Sequence, residues 1–493
     1  MALLASDEST VIRSLTTPQT GKPRMVFPFE INKRLILIGK MFKDEGESIY
    51  LVGGAVRDIF LGAETADLDF VTSADAAGIK RIMGKASRSI YDVSRAKGHG
   101  TQGIIFSDGM EVEITPFRIV GCADNDGSAR NEKPALEEDL VSRDFTVNAV
   151  AADLSPDGFG LLIDPCSGLE DLSNGVLRTP RDPVETIKDD PLRVLRAIRF
   201  SVGYDLRPDE NLLSAIKYTV RDTDLLSGIA PERVKMEIEK LLMLPQPSRG
   251  VRTMFEWGLV ERWIPELAAL MELEPEPETH HKDLVGHTME VLDRAAEFGT
   301  KTPRFRMAAL LHDVGKPAVR TLTDGAYSFL NHDRAGGEFA AEICRRLRFS
   351  NEDIDYISSL VSKHHRLSAY DDAWTDSAVR RAVNDLGEYF EDIAALTKSD
   401  ITTGDAELKA ARQDRVDHFM TRAAQLDAER YLNPKPPIDG GDIMKILGIG
   451  PGRRVGEIVS MLKEKIIDGE LDPEDAEGAV ALVRRFAKGD MIS

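Results

Sequence analysis

Residues 51–72 read LVGGAVRDIFLGAETADLDFVT. A short apolar run ends in Gly53-Gly54, a helical stretch follows, and Asp-Leu-Asp opens a second apolar run. Paired glycines let a backbone approach a ligand closely, and the N–H groups that open a helix attract anions such as phosphate. A tight strand-to-helix turn accounts for the same glycines. Side chains two apart on a strand leave the same face, so a strand through Asp67 and Asp69 presents two carboxylates together. Mg2+ takes hard oxygen ligands of this kind, one or two carboxylates beside substrate phosphates. A solvated strand face carries alternating Asp just as readily, so neither half of the stretch decides the matter alone.

The surroundings supply more. IYLVGG (49–54), LDFVT (68–72), GIIFSDGMEVEI (103–114) and DFTVNAVAAD (144–153) read as strands bounded by Gly and Asp. Helical stretches between them predict an α+β head. After about residue 180 the β signals fade. PLRVLRAIRFSV, PERVKMEIEKLLML, TMEVLDRAAEF, FRMAALLHDVG and EFAAEICRRLRF all space apolar residues by three and four, as helices do. MELEPEPETHHKD (271–283) and RYLNPKPPIDGGD (430–442) are the linker candidates.

At 493 residues the chain is too long for one ordinary core. No run reaches the roughly 20 apolar residues that span a bilayer, and the first 30 residues hold no signal-peptide core. Three widely spaced cysteines, Cys122, Cys166 and Cys344, offer neither a disulfide framework nor metal-knuckle spacing, which points to a reducing, cytoplasmic home. The formal net charge of −20 excludes a generically basic nucleic-acid binder. The charge is uneven, however. Residues 1–100 carry 14 Lys/Arg against 12 Asp/Glu, whereas residues 251–300 carry 4 against 11. A polyanion would therefore meet the N-terminal half.

Gly-Gly, a twelve-residue gap holding a helix, and Asp-Leu-Asp together resemble the signature of the polymerase-β-type nucleotidyltransferases. SRDFTVNA (142–149), DPCSGLEDL (164–172), DDPLRVLRAIRF (189–200) and PERVKMEIEKLL (231–242) follow in the order seen in class II CCA-adding enzymes and their bacterial poly(A) polymerase relatives. The resemblance implies that Asp67 and Asp69 are catalytic and hold Mg2+. It implies that Gly53, Gly54 and Arg57 hold a triphosphate, and that Arg143, Asp144 and Asn148 contact the nucleotide and support the site. An ion pair with Arg143, or a helix cap, is the alternative for Asp144. Asp190 and Arg193, three apart on one helix face, would read the incoming base in place of a template. Arg196 and Arg199 continue that face as phosphate contacts or as a solvated stripe. Asp189, one methylene shorter, stands where the family has a supporting Glu, and Ser142 stands where a basic contact from Arg is common. On GMEVEITPFR (109–118) Glu111 and Glu113 share a face; Glu113 is the candidate third metal ligand and Arg118 a candidate phosphate contact.

Seven of the nine histidines (280, 281, 287, 312, 332, 364, 365) fall within 86 residues. Mixed His and Asp ligands suit a divalent transition metal, Ni, Mn, Zn or Fe. The order His287, His312-Asp313, Asp400 on successive helices resembles the HD metal-dependent phosphohydrolases. His332, His364 and His365 stand where some members hold a second metal, and Lys316 where a phosphate would lie. GGDIMKILGIGPGRRVGEIVSMLKEKI (440–466) resembles a C-terminal segment of the CCA-adding enzymes, with Arg453 and Arg454 at a Gly/Pro-rich turn that either touches tRNA phosphate or caps the next helix.

The expected organisation is an N-terminal extension (1–27), a nucleotidyltransferase head with a mixed sheet (28–160), a helical neck for base recognition and RNA binding (161–270), an HD domain (271–430) and a helical tail (431–493). The expected function is template-independent addition of CCA to tRNA from CTP and ATP by a two-Mg2+ mechanism, with phosphohydrolase activity in the HD domain and no membrane partner. Poly(A) polymerase, or an HD phosphohydrolase with a vestigial head, are the alternatives. The sequence leaves the oligomeric state open.

Overall fold

The computed structural model describes residues 24–488, less 28, 64, 66, 67, 94–99, 118–135, 222, 272, 274–283, 324, 325, 428, 429 and 431. Two compact units divide the chain, residues 1–229 and 230–493.

The first unit is built on a mixed seven-stranded sheet. Its strands are β1 (Ile49–Val52), β2 (Asp69–Thr72), β3 (Ser89–Asp92), β4 (Gln102–Ile105), β5 (Glu111–Pro116), β6 (Ala151–Asp153) and β7 (Leu162–Ile163), in the order β3-β4-β5-β2-β1-β6-β7. Only β2 and β5 run parallel. Alternation along the strands sorts side chains to two faces. Leu51, Phe70, Ile104 and Ile114 pack on one face with Leu35, Ile38 and Phe42 of α1 (Phe29–Asp44), Val56 and Ile59 of α2 (Gly54–Phe60), and Ile79 and Met83 of α3 (Ala76–Met83). Val52, Val71 and Ala151 face the other way, under Leu140 of α4 (Leu136–Val141). Asp69 is two residues before Val71, so it shares this second face.

Two sequence expectations are corrected here. DFTVNAVAAD is a strand only at its end, in β6, because Thr146–Asn148 form a 3-10 turn. That turn is tied down by Thr146, whose N–H donates to Arg178 O (2.8 Å) and whose Oγ1 donates to Asp171 Oδ2 (2.7 Å). Asp171 lies on α5 (Gly168–Ser173) within the DPCSGLEDL motif, and Asp164 of that motif accepts from the N–H groups of Gly168 and Leu169 at 2.7 and 3.0 Å. DDPLR, in turn, is not one helix. α6 (Pro183–Asp189) stops, Asp190 is extended at φ −151° and ψ 96°, and α7 (Arg193–Gly203) begins afresh. Pro191 explains the break, since a residue before proline is pushed out of the helical region.

Among the described residues the second unit is helical apart from an antiparallel pair of short strands, Thr321–Thr323 with Ala326–Ser328. Thr302 caps the helix Pro303–Leu311, in which every residue from Phe305 to Leu311 is buried. The one charged side chain in that buried run, Arg306, donates to the carbonyls of Leu242 and Leu244, and the helix delivers His312 from its end. The last three helices, Gly440–Leu447, Arg453–Ile467 and Ala476–Lys488, pack on a core of their own that includes Ile443, Ile458, Leu462 and Val483. Arg453 opens the middle helix, and its Nε donates to Glu457 Oε1 at 2.9 Å on an exposed face. Among the described residues no helix is long and apolar enough to cross a membrane.

Candidate functional site

In the head, Gly53 joins β1 to α2, and its φ of 68° favours glycine. A Cβ there would lie 2.8 Å from Arg143 Nη1, so the residue type also makes room for a guanidinium. Parallel pairing of β2 with β5 sets Asp69 directly beside Glu113. Both line a cavity of about 210 Å3 whose wall includes Asp139 and Arg143. Asp139, on α4, is almost wholly buried and accepts from Arg143 Nη2 at 3.2 Å. Asp139 is not among the residues the motifs single out; its spacing four residues before Arg143 is the signal the sequence carries for it. Asp67 and Arg118 lie outside the described residues.

The polar residues of the SRDFTVNA and DDPLR motifs are wired to one another and to Arg57. Buried Asp144 accepts from Arg196 Nε (2.8 Å) and Nη2 (2.5 Å) through one oxygen, and from Phe145 N–H (2.9 Å) and Asn148 Nδ2 (3.0 Å) through the other. Arg196, rather than Arg143, is thus the ion-pair partner of Asp144. Burial alone would raise this carboxyl, but Arg196, Asn148 and Arg193 hold it well below the usual carboxylate range. Asn148 in turn accepts from Arg57 Nη1. Arg57 is buried, pairs with Asp58 at 2.8 Å, donates to Tyr204 OH, and stacks 4.0 Å from the Tyr204 ring centroid. Arg193 donates to the carbonyls of Thr186 (2.9 Å) and Ser142 (3.1 Å), which fixes its head group at the start of α7. Asp190 Oδ1 accepts from Leu192 N–H at 3.3 Å, and Asp189 pairs with Arg181 at 2.7 Å. Arg199 lies 4.6 Å from the Phe200 ring centroid.

In the second unit seven residues converge. His287 comes from the helix Leu284–Phe298, His312 and Asp313 follow Pro303–Leu311, and His332 starts His332–Arg346. His364 and His365 follow Asn351–Lys363, and Asp400 ends Phe390–Asp400. Two sets of ligand atoms each lie within 4.8 Å: His287, His312 and Asp400, and Asp313, His332, His364 and His365. Asp313 joins them, with Oδ2 at 3.2 Å from His312 Nε2 and 3.4 Å from His287 Nε2, and Oδ1 at 3.3 Å from His332 Nε2. Asp400 Oδ1 is 3.0 Å from His287 Nε2, and Lys316 Nζ is 2.6 Å from Asp313 Oδ2.

Three of these histidines are held by one device. His312, His332 and His364 each place Nδ1 at 2.7–2.9 Å from the carbonyl three residues earlier. A carbonyl can only accept, so Nδ1 carries the proton and Nε2 offers its lone pair to the centre, the arrangement of a metal-ligating histidine. His287 Nδ1 meets Thr402 Oγ1 at 2.9 Å. His364 Nε2 is buried with no hydrogen-bond partner, and burial pushes His364 down to about 3. Burial would also lower His287, yet Asp313 and Asp400 raise it to about 9. These carboxylates call for positive charge, and an orphaned imidazole lone pair beside them fits a divalent transition metal.

Three family models match successive parts of the chain. Residues 49–178 match the poly A polymerase head domain, residues 205–271 the probable RNA and SrmB-binding site of polymerase A, and residues 284–428 the HD domain. An A-adding tRNA nucleotidyltransferase of Deinococcus radiodurans is 31% identical over 459 residues, spanning 89% of this chain and 95% of the relative. A multifunctional CCA protein of Cupriavidus metallidurans is 32% identical, over 64% of this chain and 74% of its own. The fold matches that of the Bacillus stearothermophilus CCA-adding enzyme, solved in complex with CTP, at a TM-score of 0.64 and 24% identity over 94% of this chain and 100% of that one. The chain belongs to the class II tRNA nucleotidyltransferase and poly(A) polymerase family, with an HD domain following the head in sequence.

Proposed function

We propose that the head adds C, C and A to tRNA 3′ ends from CTP and ATP, without a template and with release of pyrophosphate. The observation that carries this reading is Asp69 set beside Glu113 by strand register, at a cavity that Arg143 borders. Asp67, Asp69 and Glu113 offer only oxygen donors, which fits Mg2+. Bound there, Mg2+ would assist ionisation of the terminal ribose hydroxyl and balance the charge of the departing pyrophosphate. The chain's own residues bind and orient. Gly53 and Gly54 admit the triphosphate, Arg143 faces its charge, and Arg57, Asn148, Asp144 and Arg196 brace the wall as a linked set. Arg193, pinned by two carbonyls, and Asp190 present donors and an acceptor to the base. Positioning and charge stabilisation supply most of such catalysis.

A second reading, addition of A alone, is favoured by the name of the Deinococcus radiodurans relative, matched over 95% of its length. One assay separates the two. Transfer RNAs ending before CCA, after C and after CC are incubated with Mg2+ and CTP, ATP or both, and their 3′ ends are sequenced. Full addition completes all three; A-addition extends only the CC-ending RNA, by one residue. A run of A, as a poly(A) polymerase would make, or no extension at all, would sink both.

For the second unit we propose metal-dependent hydrolysis of phosphate esters on nucleotides or RNA ends, with Ni, Mn, Zn or Fe held by His287, His312, Asp313 and Asp400, and by His332, His364 and His365. Such a metal supplies water of lowered pKa, and Lys316 offers charge to the phosphate. The cytoplasm, where tRNA is matured, is the proposed location.

A further inference from the structure

A cavity of about 430 Å3 opens beside the histidine cluster, with Asp400 and His365 on its wall. That volume is in the range of small-molecule pockets. Its lining is of three kinds. Asp400 and His365 belong to the metal centre, Leu408 and Tyr370 are apolar or aromatic, and Arg412 and Arg415 are cationic. The two arginines are three apart on the helix Ala406–Gln425, so they share a face. Neither has an ion pair or hydrogen bond among the described residues, although the unit is acidic and most of its other guanidiniums are engaged. Tyr370, by contrast, is fixed: it is buried, its hydroxyl meets His418 Nδ1 at 3.1 Å, and its ring meets Phe419 edge to face, with centroids 5.2 Å apart.

Resting on the hydrolase reading of the HD unit, we infer that this cavity selects phosphate esters bearing a second, separate anionic group. The phosphate to be cleaved lies at the metal centre, the organic part lies along Leu408 and Tyr370, and the second phosphate lies at Arg412 and Arg415. Guanidinium forks match phosphate oxygens in charge and geometry. A nucleoside with phosphates on both sides has this chemistry, whether it is a free bisphosphate or the 3′-phosphorylated end of an RNA, whose preceding phosphodiester provides the second charge.

The test is binding, measured by calorimetry on the full-length, metal-loaded protein with adenosine 3′,5′-bisphosphate and adenosine 3′-monophosphate as probes. Wild type, R412A/R415A and R412K/R415K are compared; they share one head, so differences among them report the HD cavity. The expected result is a preference of about ten- to hundredfold for the bisphosphate in wild type, lost in the Ala pair and partly restored in the Lys pair. No preference in wild type, or a preference that survives R412A/R415A, overturns the inference. A 3′-phosphorylated dinucleotide is the second probe: tighter Arg-dependent binding than the bisphosphate identifies the RNA end as the source, and weaker binding the free nucleotide. If the Arg-dependent preference stands while no probe releases phosphate, the hydrolase reading fails and the recognition pocket survives it.

Discussion

Asp144 gathers most of the polar wiring of the head, since it links Arg196 directly and Arg57 through Asn148. Asp144→Asn would remove the carboxylate that Arg196 pairs with and replace one of its oxygens by a donor. Hydrogen bonds to charged groups contribute about 1.5–3 kcal/mol, so urea unfolding of the variant is expected to show a loss of about 2 kcal/mol. The pH dependence has a definite sign. A carboxyl held below its unfolded value stabilises the fold above a pH of about 4, and that contribution is lost as pH falls through the lower, folded value. Acid unfolding of wild type should therefore steepen below about pH 4, and the variant's profile should be flatter there. Gly53 is the second sensitive position. Gly53→Ala meets a left-handed backbone, which costs roughly 1–2 kcal/mol, and pushes against Arg143, 2.8 Å from the new Cβ. Nucleotide addition should fall at least tenfold, mainly through a raised KM for the triphosphate, read from initial rates against nucleotide concentration.

Helix and strand ends set the functional residues, and this determines what the sequence could reveal. Spacing of apolar residues marked β1, β2 and the long helices because their buried faces repeat. It could not mark the break at Asp190, where Pro191 overrides a pattern that runs on through DDPLRVLRAIRF, and it misread Thr146–Asn148, whose 3-10 turn depends on Asp171 and Arg178, distant in sequence. The histidine cluster was legible as residue types and spacing. The shared Nδ1-to-carbonyl device was not, because it exists only once three separate helix ends are in place. Gly315 shows how closely they meet: a Cβ there would be 2.1 Å from His332 O and 2.4 Å from Gly336 N, so the segment after His312-Asp313 packs on the helix that starts at His332. His364→Ala removes the orphaned Nε2 while leaving His287, His312 and Asp400 untouched. Metal analysis of the purified protein should give close to two ions per wild-type chain and close to one per variant chain; an unchanged count would show that His364 is no ligand.

At the scale of the whole molecule, two compact units each gather carboxylates for divalent metals, but with different partners. The head sets Asp69 and Glu113 at one cavity with Arg143, oxygen donors beside a guanidinium, whereas the HD unit sets Asp313 and Asp400 among five imidazoles. Two chemistries in one chain should therefore separate by mutation. His312→Ala is expected to abolish metal-stimulated phosphate release from a 3′-phosphorylated RNA while the protein still extends tRNA; collapse of extension in a folded His312→Ala protein would mean that the two activities are coupled. The net charge of −20 gave little warning of a tRNA enzyme, because a phosphate-binding surface needs local positive charge, not a basic total. The measurement closest to the central claim uses a tRNA ending in CC, with ATP and Mg2+, and compares wild type with Asp69→Ala by sequencing the 3′ ends. Wild type is predicted to add a single A to nearly every molecule and Asp69→Ala to add none, with both proteins equally folded; addition by Asp69→Ala at the wild-type rate would contradict the assignment of the head as the catalytic site.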